Sequence, residues 1–111
     1  MKPIPKSLLI HSAAAITESE PDMWGSKTED SRTELEFVRI KPSSALKLDS
    51  RNEQVQLSAV LFFDCRNSRP SGFDFSYAKK ILFCGEQYKI VRVDKLYDGR
   101  GLHHLEVGLC L

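Results

Sequence analysis

The chain has 111 residues, 41% of them hydrophobic and 28% charged, which suffices for one buried core and is too apolar for a disordered segment. Sixteen Lys and Arg against fifteen Asp and Glu leave a net charge of +1, so no whole-molecule field gathers nucleic acid or anionic lipid. No stretch approaches the roughly 20 apolar residues of a membrane-spanning helix. Cys65, Cys84 and Cys110 form an odd, widely spaced set, which reads as reduced thiols rather than a disulfide framework.

At the start, Lys2 and Lys6 precede a short apolar stretch. Pro3 and Pro5 interrupt its basic part and His11 stops Leu8-Leu9-Ile10, which argues against a signal peptide. A first strand is expected over Ser7 to Ile16, with Leu8, Ile10, Ala14 and Ile16 on one face. Residues 18–33 are acidic and broken by Pro21 and Gly25, as in a long loop. Within that loop Trp24 is the odd residue, and a tryptophan in a polar loop is a candidate for partner contact. Lys27 and Arg32, its two cations, are further candidates for partner contact, set against seven carboxylates between Glu18 and Glu36.

Glu34 to Ile40 alternates as a strand, with Leu35 and Phe37 facing one way, and Pro42 ends it. Residues 42–54 read as a second long polar connection with a short turn at Ala45 to Leu48. Leu48 and Arg51 are its candidate contact residues. Gln56 to Asp64 is a strong strand whose Leu57, Ala59, Leu61 and Phe63 share one face. "CRNSRPSG" is a loop by composition, carrying Arg66 and Arg69 as candidate contact residues. Phe73 and Phe75 follow it, and "SYAKK" has the makings of a brief helical turn. Two β-rich runs over residues 80–94 flank Cys84-Gly85-Glu86-Gln87 as a hairpin. The apolar phase of the second run slips near Ile90, as at a β-bulge. A last strand runs from Leu102 to Leu111, with Leu105, Val107, Leu109 and Leu111 on one side. About six strands and no long helix point to a single all-β domain over residues 1–111, a small β-barrel or coiled sandwich.

Catalytic chemistry is thinly represented. His103 and His104 are expected on opposite faces of a strand, leaving His104 with Glu106 as the best acid–base or metal pair. Cys65 follows Asp64 at a strand end without a nucleophile turn around it. "YDGRG" lacks the residues of a phosphate loop and reads as a turn. Arg66 and Arg69 near Phe62, Phe63, Phe73 and Phe75 resemble the cation and aromatic sets of single-strand binders. A small nucleic-acid-binding barrel is therefore the alternative reading, and an enzyme is not expected.

Taken in order, "KPIPKSLLIHS", "MWG", "SAVLFFD", "SRPSGFDF", "ILFCGEQYKIVRVDKLYD" and "GLHHLEVGLCL" resemble the small minor capsid proteins of tailed bacteriophages and prophages, of the head-completion or head-closure kind. The similarity runs over most of the chain, with residues 26–33 and 43–55 contributing little. It implies a non-enzymatic subunit of the head-to-tail connector that needs no cofactor. Such a subunit assembles as a ring with the portal or adaptor and tail-completion proteins, remains monomeric alone, and surrounds passing DNA without binding it specifically. The implied location is the virion neck, after assembly in the host cytoplasm, with no membrane partner. An acidic first loop would suit the channel lining, because like charge lets DNA slide.

Overall fold

The computed structural model describes residues 3–17, 31–49 and 51–111. Trp24 and Lys27 lie outside the described residues. The strands are β1 (His11–Thr17), β2 (Ser31–Pro42), β3 (Leu46–Leu48), β4 (Gln54–Gln56), β5 (Ala59–Asp64), β6 (Ala78–Phe83), β7 (Glu86–Asp98) and β8 (Gly101–Cys110). A 3₁₀ turn at Phe75–Tyr77 precedes β6, where the brief helical turn is expected. Six strands close into an antiparallel barrel in the order β1-β2-β5-β8-β7-β6. Closure removes every free edge from this sheet. β3 and β4 pair only with each other and form a separate two-stranded arm.

Local chemistry accounts for the turns. Cys84 and Gly85 have φ of 50° and 78°, the pair of positive values that a two-residue turn needs to join twisted strands. Phe83 pairs directly with Glu86 across it. In the next turn the Asp98 Oδ1 accepts the Arg100 N–H at 2.8 Å, and this hydrogen bond, the largest influence, holds the Asp98 carboxyl below its ordinary range. The expected slip in β7 is present, with the register shifting between Ile90 and Arg92 opposite β8.

Inside the barrel Leu35, Val38, Leu61, Ile81, Val107 and Leu109 are fully buried. Phe63 meets Phe75 edge-on at 5.4 Å and Phe73 meets Phe75 at 4.8 Å, so the connection from β5 to β6 places its aromatics in or against the core. Ala13 and Ala15 complete the core cluster from β1. Their small side chains leave room for the larger ones opposite, as small barrels require.

Several expected phases are corrected. In β1 the inward residues are Ala13 and Ala15, while Leu8 and Ile10 are exposed and Leu9 is buried. The chain turns at residues 6–8, with Leu8 N–H donating to the Pro5 carbonyl at 2.9 Å. The odd-numbered positions Leu9, Ala13 and Ala15 therefore face inward, and the register shift opposite His11 and Ala13 places its extra residue in β2. In β2 Leu35 points inward but Phe37 is exposed. Phe37 has φ of 54°, which moves the inward set to Val38 and Ile40. The same strand begins at Ser31 and includes Pro42, so residues 31–33 of the expected first loop, with Arg32, belong to the barrel. Leu111 lies beyond β8 and is exposed. Residues 42–54 are not a plain loop, since β3 and the start of β4 fall within them.

Candidate assembly surfaces

Three surfaces follow from this framework. The first is the arm. Ser43 N–H donates to the Ser58 carbonyl and Leu57 N–H to that of Ala45, tying its base. Leu57 is buried against β8, where a Cβ on Gly108 would stand 3.1 Å from its Cδ2. Gly108 thus leaves the hollow that Leu57 fills. Beyond this anchor the arm exposes Leu46 and Leu48, at 60% and 44%. A groove of about 670 Å³ separates Leu48, Asp49 and Asn52 from β6 and β7. At the arm's turn the Asp49 Oδ1 accepts the N–H groups of Arg51 and Glu53, which leaves the Arg51 side chain exposed.

The second surface is the crossover after β5. Asp64 is fully buried. Its carboxylate accepts the Ile4 N–H at 2.9 Å, the Arg66 N–H at 2.9 Å and the Asn67 N–H at 2.7 Å. Asp64 N–H in turn donates to the Ser68 Oγ at 2.8 Å, and the Ser68 hydroxyl donates to the Phe37 carbonyl. Glu36 and Arg69 exchange two backbone hydrogen bonds of 2.9 Å. This polar knot holds the N-terminal segment, the β2 bulge and the crossover together. Arg66 and Arg69 stand exposed on it, with the Arg69 guanidinium donating to the carbonyls of Arg66 and Ser68.

The third surface lies where the N-terminal segment crosses the outside of β2 and β5. Ile4, Leu8, Arg39, Lys41 and Phe62 line a cleft of about 350 Å³. Arg39 Nη1 donates to the Leu8 carbonyl at 3.3 Å, and nearby Lys6 Nζ sits 4.6 Å from the centre of the Phe37 ring. The sequence patterns do not single out this cleft. Its apolar floor brings Ile4 and Leu8 beside Phe62 of β5, and Ile4 is tethered there by its N–H to the Asp64 carboxylate and by the Asn67 amide donating to its carbonyl at 2.7 Å.

The candidate contact residues are therefore divided. Leu48 and Arg51 share the arm, whereas Arg66 and Arg69 share the crossover at the opposite end of β5. Arg32 sits at the start of β2 in a solvated pair with Glu34 at 2.6 Å. The aromatic platform expected near Arg66 and Arg69 is not on the surface: Phe63 and Phe75 are core residues, Phe73 packs on the core, and Phe62 stacks on His104 at 6.3 Å.

His103 and His104 depart from their expected opposition. A register shift opposite Leu96 and Tyr97 makes His103 the extra residue of a bulge, and the two Nδ1 atoms approach to 2.7 Å. His104 Nε2 lies 3.1 Å from Glu106 Oε2. Among the described residues no group of three His, Cys, Asp or Glu side chains is arranged to hold a metal ion. Burial, and secondarily the Asp64 carboxylate, push the Cys65 thiol up from its ordinary value, which lowers its thiolate fraction and its reactivity near neutral pH. A thiol reagent at pH 7.5 is expected to label exposed Cys84 first and Cys65 several times more slowly. Mass mapping of the labelled peptides checks the order, and Cys65 reacting fastest would revive a catalytic thiol.

The model of the minor capsid protein family matches residues 5–109, which takes in the whole arm and every strand of the barrel but for the last residue of β8. The chain belongs to the minor capsid protein family. No curated protein matches it. As a minor capsid protein it has a phage structural role in the virion. Among the described residues no helix is long and apolar enough to cross a membrane.

Proposed function

We propose that this minor capsid protein is a subunit of the head-to-tail connector, acting in head completion or closure at the neck of the virion. In this reading copies of the chain form a ring around the DNA channel, between portal or adaptor proteins on one side and tail-completion proteins on the other. The observation that carries it is the β3–β4 arm. A two-stranded ribbon has little stability of its own, and this one holds Leu46 and Leu48 out from a barrel whose own edges are sealed. The arm's open edges accept strand pairing from a neighbour, and its leucines supply apolar anchors. A contact made by an arm on one subunit with a different surface on the next is heterologous, and heterologous contacts form a ring where the rotation between subunits closes.

The test is genetic. Phage carrying an early stop codon in this gene are expected to accumulate separate heads and tails by electron microscopy, with normal particles restored by the gene in trans. Complete virions in the mutant lysate would defeat the connector assignment.

A further inference from the structure

The cleft of Ile4, Leu8, Arg39, Lys41 and Phe62 combines an apolar floor with two cations. Among the described residues no carboxylate pairs with either Arg39 or Lys41, and Lys41 is exposed. Its chemistry fits an acidic segment with a large apolar anchor. The chain itself contains one. Residues 18–30, "ESEPDMWGSKTED", carry five carboxylates against Lys27 alone, a net −4, around Met23 and Trp24. We infer that the cleft is the docking site for residues 18–30 of a second copy, with Trp24 seated on Ile4, Leu8 and Phe62 and the carboxylates facing Arg39 and Lys41. The inference rests on the ring reading above for the presence of a neighbouring copy.

Chain length favours the neighbour over the chain's own segment. Trp24 is seven residues from both Thr17 and Ser31, which pair with each other at the barrel's end, so it reaches at most about 25 Å from them. Arg39 and Lys41 lie eight and ten residues along β2 from Ser31, roughly 26 to 33 Å away at strand spacing. The chain's own Trp24 would need both limbs stretched straight back along the barrel. The same segment in an adjacent subunit is under no such constraint. This assignment puts residues 18–30 between subunits instead of along the channel.

Trp24 is the chain's single tryptophan, which supplies the probe. The full-length Trp24→Ala protein is tryptophan-free, and a synthetic peptide of residues 18–30 is titrated with it. The peptide's emission is expected to shift to the blue and saturate. Lys41→Glu in the same background is expected to weaken binding at least tenfold, and raising the salt from 50 to 300 mM several-fold. An unshifted peptide, or equal binding by the Lys41→Glu protein, overturns the inference. Trp24 emission in the intact chain is expected to shift with protein concentration, and a concentration-independent blue shift would assign Trp24 to its own chain and overturn docking between copies. The titration needs no connector, so its failure and the failure of the neck phenotype are read separately.

Discussion

Replacing Leu46 and Leu48 together by aspartate is expected to abolish infectious particles while leaving the isolated protein folded. Both side chains are exposed on β3 and make no part of the core cluster. Substitutions at such positions change stability by about 0.5 kcal/mol or less, a shift in melting temperature of about 2 °C. At an interface the same side chains act differently. Two buried apolar anchors contribute about 2 kcal/mol each, and a buried unpaired carboxylate adds a further cost. Together they correspond to a loss of roughly a thousandfold in affinity. Thermal denaturation of the purified variant and plaque titre of the mutant phage are the paired measurements. A normal titre with both leucines replaced would remove the arm as an assembly element. A collapsed melting temperature would mean that the arm supports the barrel, contrary to its exposure.

The second large effect concerns stability. Asp64→Ala is expected to destabilise the barrel by about 3 to 4 kcal/mol, since three backbone N–H groups, those of Ile4, Arg66 and Asn67, lose their acceptor together. For a domain of this length that lowers the melting temperature by roughly 12 to 20 °C. Asp64→Asn keeps one acceptor oxygen but turns a donor toward part of the same N–H cluster, so it should fall between the two. Denaturant unfolding of the three proteins checks the order. Equal midpoints for wild type and Asp64→Ala would mean that the knot contributes nothing net. Because Asp64 anchors Ile4, the alanine variant is also expected to loosen the cleft that Ile4 floors, and amide exchange over residues 4–9 reports that directly.

Much of the barrel is legible in the order of its residues. The inward set of β5, the Cys84-Gly85 turn, the slip near Ile90 and the inward set Leu105, Val107 and Leu109 all follow from two-residue periodicity and turn chemistry, which act over a few neighbouring residues. Where the expectations failed, the cause was a bulge or a partner distant in sequence. Phe37 leaves the core because Ser68 and Arg69, some thirty residues further on, bond to the backbone on either side of it. Leu46 and Leu48 read as loop residues because a short ribbon of alternating leucine and polar side chains carries too few repeats to distinguish it from a turn. His103 and His104 read as opposed because a strand's alternation holds only until an extra residue enters the ladder.

The candidate surfaces divide along the same line. An all-β domain, the reach of the family resemblance, and Trp24 as an exceptional aromatic are written in the residue order alone, since each depends on local composition and order. The closure of the barrel, the separate arm formed by β3 and β4, and the meeting of residues 4 and 8 with Phe62 beside two cations emerge only from the three-dimensional fold. Those facts depend on which strands pair and on one buried carboxylate that draws together segments sixty residues apart, and neither is encoded in the spacing of neighbouring side chains.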